Sequence, residues 1–229
     1  MNRFRTHDAG LSLIELLVAM LLLGVFMTMI SSLYLSASRS LGQAKLLTAN
    51  TRQASNGMNE VARVIRAATE NPVSGHPLPD PALVEATPEA VTLYAYVNLG
   101  MTTQQPVKIR LALDVDRRLV ETRWAATALG GGYFGFSGAP ESSRIIAETV
   151  APASSDPADP ALFGFRDAAG GLLLGAGSDG TLLTSTELRS VASITVNLTV
   201  QASRTDARSA VTLQNTVGMP NVALAAGGS

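Results

Sequence analysis

From Leu11 to about Ile30 the chain runs through twenty consecutive residues that carry one charge, Glu15. At about 1.5 Å per helical residue such a run reaches roughly 30 Å, the thickness of a bilayer's hydrocarbon core. It is therefore just long enough to cross a membrane as a helix. The ten residues before it, Met1 to Gly10, are polar and include Arg3 and Arg5, which predicts that they stay on the cytoplasmic side. A secretory signal has an apolar stretch of roughly 7 to 15 residues with a small-residue cleavage site after it. Here the small pair Ala9-Gly10 comes first, so cutting there removes only the leader and leaves the membrane helix on the mature chain. Glu15 is the anomaly. An ionised carboxylate inside a membrane helix costs about 2.5 to 3.5 kcal/mol on insertion scales and is expected only where it has a partner.

The string Gly10-Leu11-Ser12-Leu13-Ile14-Glu15, followed by Leu16-Leu17-Val18-Ala19-Met20, resembles the type III signal of the type IV pilin and type II secretion pseudopilin superfamily. The resemblance implies that a prepilin peptidase cuts between Gly10 and Leu11 and methylates the new amine of Leu11. Glu15 then stands where the family has its glutamate, five residues into the mature chain, and Gly24 falls where many members have a glycine. In a packed bundle the Glu15 carboxylate could pair with the N-terminal ammonium of a neighbouring subunit, where low dielectric strengthens the attraction. That pairing would set axial register.

Beyond Ile30 the apolar pattern changes character. Ala37, Leu41, Ala44, Leu47, Thr51, Ala54, Met58, Val61, Ile65 and Ala68 recur at spacings of three and four, which is one helical face. Polar residues from Arg39 to Arg66 fill the other side. The spacing predicts a single helix from about Leu13 to Thr69, ended by Asn71-Pro72, with Gly24 and Gly57 as its weak points. Burial against the protein's own sheet is the reading that face favours, and docking of a partner helix is the alternative.

After the proline-rich stretch His76 to Pro81, short alternating runs begin: Ala90 to Val97, Val107 to Leu113, Leu119 to Trp124, Arg144 to Val150, Leu162 to Phe165, Val191 to Val200 and Val211 to Val217. In Ile194 to Val200 apolar and polar residues alternate strictly, as a half-buried strand requires. Asp114-Val115-Asp116-Arg117 reads as a hairpin turn, so the sheet is predicted to be mainly antiparallel. Ala128 to Ser143 and Ala151 to Pro160, rich in Gly, Ala, Ser, Pro and Asp, read as surface loops.

The composition excludes several chemistries. There is no Cys, hence no disulfide, thiolate metal site or cysteine nucleophile. Lys+Arg 17 against Asp+Glu 18 gives a net charge of −1, without a global field for nucleic acid. Removing the leader takes away Arg3, Arg5 and Asp8, leaving 17 − 2 = 15 positive and 18 − 1 = 17 negative residues. Of the two histidines, His7 is in the leader and His76 in the proline-rich loop, and no Gly-x-Ser-x-Gly elbow accompanies them. The Gly-x-Gly-x-x-Gly matches at Gly130 to Gly135 and Gly175 to Gly180 open no predicted helix and read as loop glycines. Asp114 with Asp116, and Asp156 with Asp159, fall short of the six to eight oxygen ligands that Ca²⁺ takes. Arg117, Arg118 and Arg123 form a small basic cluster near Trp124 that could meet DNA, with exposed strand arginines as the simpler account.

The reading that results is an α+β, pilin-like fold: a long N-terminal helix, half membrane-spanning and half amphipathic, packed on a mainly antiparallel sheet. Residues 1–10 are a leader, 11–32 a transmembrane helix, 33–70 its amphipathic continuation, and 71–229 a globular β-rich domain that is periplasmic or, once assembled, extracellular. By Arg144 to Val150, Phe163 to Asp167 and its last two strands the chain also looks like PilW-type minor pilins and the J-type pseudopilin. The resemblance implies a structural subunit rather than an enzyme, without cofactor or metal, that helps initiate or cap a type IV pilus-like filament. Its implied partners are other pilins or pseudopilins, the prepilin peptidase, the inner-membrane assembly platform and lipid. The alternatives are a subunit at the tip of a type II secretion pseudopilus, and an anchored adhesin or DNA-uptake module acting through tip loops such as Gly130 to Ser137.

Overall fold

The structure is a computed structural model that describes residues 12–97, 105–136, 138–152, 161–173 and 183–222. Helix α1, Leu13–Arg66, is 54 residues long, and the chain divides into two compact units, Met1–Lys45 and Leu46–Ser229. In the first unit, α1 is exposed along its whole described length. Leu13 to Ile30 present apolar side chains on every side, and an 18-residue window of α1 reaches a mean hydropathy of 2.5. A helix apolar all round is stable where hydrocarbon replaces water. The Ala37–Leu41–Ala44 part of the predicted face is likewise exposed.

In the second unit the helical face is buried as its spacing requires. Ala54, Gly57, Met58, Val61, Ala62, Val64 and Ile65 all lie in the core. The helix ends at Arg66, three residues before the predicted Thr69, and the reason is tertiary. Ala68 forms an antiparallel bridge with Ala95 and the Thr69 N–H donates to the Tyr94 carbonyl, so residues that could have continued the helix are drawn into strand pairing instead.

Against α1 lie two antiparallel sheets. The first has strand order β1-β2-β3-β4-β7, formed by β1 (Leu83–Ala86), β2 (Ala90–Ala95), β3 (Val107–Leu113), β4 (Leu119–Ala125) and β7 (Ser142–Ala147). The second has order β11-β10-β8-β9, formed by β8 (Phe163–Arg166), β9 (Leu172–Leu173), β10 (Ser193–Val200) and β11 (Val211–Gly218). A bridge between Val150 and Val200 joins them. Inward residues alternate as predicted: Val107, Ile109 and Leu111 on β3, and Ile194, Val196, Leu198 and Val200 on β10, are buried.

Thr127–Gly130 (β5) and Tyr133–Gly135 (β6) pair as a separate hairpin, where the sequence reads as loop. Gly130, Gly131 and Gly132 all have positive φ, at 87°, 62° and 83°. That conformation is open to glycine at little steric cost. A short helix α2, Ser185–Ser190, is closed by a capping box between Thr184 and Glu187.

Candidate functional site: the N-terminal signal and the charged seam beneath α1

Ser12 stands at the start of α1, and its side chain and carbonyl both accept from the Glu15 N–H, at 3.3 and 3.1 Å. The spacing Ser-x-x-Glu is that of a capping box, a local signal missed when Glu15 is read only as an anomaly in lipid. As the acid of the first turn, Glu15 also complements the positive end of the helix dipole. Its side chain is exposed and has no hydrogen bond or ion pair among the described residues. Gly10 and Leu11, the predicted processing pair, lie outside the described residues.

The second cluster is a seam of five charges between α1 and the first sheet. Parity with Leu119 turns Glu121 of β4 toward the core, where its side chain is 0% exposed. Arg123, two residues along the same face, donates Nε–H to Glu121, and Arg144, the cross-strand neighbour of Glu121 on β7, donates Nη2–H to it at 2.8 Å. Arg144 also donates to Glu60 of α1, and the Arg123 guanidinium lies 3.7 Å from the same carboxylate. Arg63, one turn on, adds Nη2–H at 2.5 Å. These bonds hold the Glu60 carboxyl down to about 2: the Arg63 hydrogen bond is the largest influence, burial opposes it, and the charges of Arg63 and Arg144 reinforce it. The Arg144 guanidinium is raised above its ordinary range, first by its hydrogen bond to Glu121. Alternation along Leu119-Val120-Glu121 already puts this carboxylate on the inner face, a signal available in the sequence.

The arginines that read as one basic cluster do not form one. Arg117 donates to Glu89 at 2.5 Å and Arg118 to Asp114 at 2.7 Å, while Arg123 donates to Glu121 and forms an ion pair with Glu60 within the seam. Trp124 is instead partnered by Lys108, whose Nζ sits 5.6 Å from the ring centre. The Asp114 turn is as predicted. Its carboxylate accepts the backbone N–H of Asp116 at 2.9 Å and of Arg118 at 2.8 Å, and the Arg118 N–H is the leading cause that holds it below the usual range. Asp116 pairs with Arg118 and Arg204. Asp156, Asp159 and the whole Gly175 to Gly180 match lie outside the described residues. His76 is exposed in its loop, and among the described residues no group of three or more His, Asp or Glu converges to hold a metal ion.

The prokaryotic N-terminal methylation motif, as a family model, matches residues 5–31. Among curated proteins none matches the chain. The match takes in Gly10, Leu11 and Glu15, so the chain carries a type IV pilin- or pseudopilin-type N-terminal signal at the head of a helix long and apolar enough to cross a membrane.

Proposed function

We propose that this chain is a structural subunit, of the minor pilin or minor pseudopilin kind, in a type IV pilus-like filament, where it helps initiate or cap assembly. Prepilin peptidase cuts between Gly10 and Leu11, and the mature chain stays in the inner membrane by residues 11–32 with residues 71–229 on the periplasmic side until assembly. The observation that carries the reading is the methylation motif over residues 5–31 coinciding with a helix whose first turn holds Glu15 and whose next turns expose apolar side chains on every side. Such a helix is soluble only in lipid or in a bundle of its own kind.

The test has two parts. Intact-mass measurement on the membrane fraction should give a chain beginning at methylated Leu11, and Gly10→Val should leave the leader in place. Glu15→Leu should be processed normally yet fail to enter filaments sheared from the cell surface. A native chain beginning at Met1, or normal assembly of Glu15→Leu, overturns the proposal.

A further inference from the structure

Every open strand in a sheet offers unpaired N–H and C=O groups, and soluble proteins blunt such edges with shortness, bulges, prolines or charges. Most edges here are blunted. β1 is four residues long and its register shifts between Leu83 and Glu85. β9 has two residues, and β5 and β6 have four and three. β7 carries the inward-turned Arg144, and its pairing with β4 shifts between Leu119 and Val120.

β11 has none of these devices. Its eight residues, Val-Thr-Leu-Gln-Asn-Thr-Val-Gly, contain no charge and no proline, and its register with β10 runs unbroken from Val211↔Val200 to Gly218↔Ser193. Among the described residues it pairs with β10 alone. The Met219 N–H donates to the Ala192 carbonyl, which fixes the alternation of the ladder. Val211, Leu213, Asn215 and Val217 turn their backbone groups toward β10, while Thr212, Gln214 and Thr216 turn theirs outward. The core side is unfinished as well. On β10 the inward side chains Ile194, Val196, Leu198 and Val200 are all fully buried, but Val211 and Leu213 beside them are only half-buried. The strand is firmly seated, since Asn50 of α1 donates to the Ser209 carbonyl just before it at 2.7 Å.

The geometry points to β11 as the site at which a neighbouring subunit adds an extended, uncharged segment to the sheet. Only a strand matches a row of alternating donors and acceptors at about 4.8 Å spacing. Alternate apolar residues on that strand finish the core beside Val211 and Leu213. With no charge on β11, the partner strand is held by backbone pairing and apolar contact rather than by ion pairs, which suits a neutral segment of high β-propensity. The inference rests on the filament reading above, and the experiment separates the two.

Hydrogen–deuterium exchange of the 211–218 amides is measured on the full chain in detergent and in sheared filaments. Exchange at Thr212, Gln214 and Thr216 is expected to slow at least about tenfold in filaments, as gaining a strand partner requires. Incorporation should fall about tenfold for Gln214→Pro, which removes an outward N–H without touching the β10 ladder, and should hold for Gln214→Ala. If the fluorescence of Trp124 shows that the proline variant does not fold, Thr212→Lys combined with Thr216→Lys, a charged edge, decides in its place. A correctly cut chain absent from filaments overturns the filament reading. A chain present in filaments with unprotected 212, 214 and 216 amides, or incorporating equally as Gln214→Pro or as the lysine pair, overturns the β11 assignment alone.

Discussion

Glu121 lets the seam be tested quantitatively. Its side chain is 0% exposed, and its two guanidinium partners differ sharply in their recourse to water, Arg144 being 53% exposed and Arg123 22%. Glu121→Gln keeps the shape but replaces one acceptor oxygen with a donor that faces an arginine. Breaking a buried ion pair from one side costs about 3 to 5 kcal/mol. Arg144 can turn to solvent and Arg123 keeps Glu60, so the cost falls to or below the bottom of that range, and about 2 to 3 kcal/mol is expected. For a globular part of this size that is a fall in Tm of roughly 4 to 12 °C.

The assay is denaturation of the full chain in detergent followed by fluorescence, which is specific because the only tryptophan, Trp124, sits on β4 beside the seam. A companion variant sharpens it. Glu121→Leu with Arg123→Leu removes the buried carboxylate together with its half-buried partner, and apolar replacement of such a pair is often neutral or stabilising, so the double variant should recover most of the loss. If Glu121→Gln unfolds within about 0.5 kcal/mol of the parent, a margin typical of surface changes, the seam does not hold the sheet to α1 as argued.

Gly57 sits where α1 packs tightly on both sheets: a Cβ there would come 3.1 Å from Leu198 Cδ2 and 3.4 Å from Ala147 Cβ. Gly57→Leu should therefore cost about 1 to 3 kcal/mol by overpacking, whereas Gly24→Leu, which meets nothing within 4 Å, should leave the thermal transition of the globular part unmoved. Thr149 holds φ at 47°, a region that a β-branched side chain enters at about 1 to 2 kcal/mol; Thr149→Gly should raise the denaturation midpoint, and a lowered one refutes strain there. Glu60 is depressed from 4.5 to about 2, so its contribution to stability is fully present above pH 4.5 and is lost as pH falls from there toward 2. Glu60→Gln should flatten the stability profile across that window, and an unchanged profile counts against the Glu60 bonds.

Much of this architecture was legible in the residues because it rests on periodicity. The face through Ala54, Met58, Val61 and Ile65 is buried, and Val107–Leu113 is a strand with the predicted bounds. What escaped the sequence depends on tertiary partners. The end of α1 is decided by a bridge to Ala95, far along the chain. The β5–β6 hairpin is held by the Tyr94–Phe136 ring contact at 5.0 Å and by Asn71 bonded to the Phe134 carbonyl, neither of which composition reveals in a glycine-rich stretch. The seam was half legible. Strand parity turns Glu121 inward, but nothing local says that Arg144 and Glu60 will meet it there.

Two carboxylates in apolar surroundings are treated in opposite ways, and the contrast bears on function. Glu121 is enclosed by the chain's own arginines on two strands, so its charge is neutralised at folding and needs nothing further. Glu15 stands in a helix surrounded by exposed leucine, isoleucine, valine and methionine, without a side-chain partner among the described residues. Ser12 bonds its backbone N–H and leaves the carboxylate unanswered. In hydrocarbon that omission costs about 2.5 to 3.5 kcal/mol. A helix already equipped with a cap and nearly twenty apolar residues gains nothing as a mere anchor from such a group. In the proposed filament, a cation supplied on assembly would recover that energy only in the packed state, and the carboxylate would then favour the filament over the solitary subunit. Glu15→Gln, neutral in lipid, should therefore anchor at least as well as the parent while assembling worse. Equal assembly of the glutamine variant refutes it.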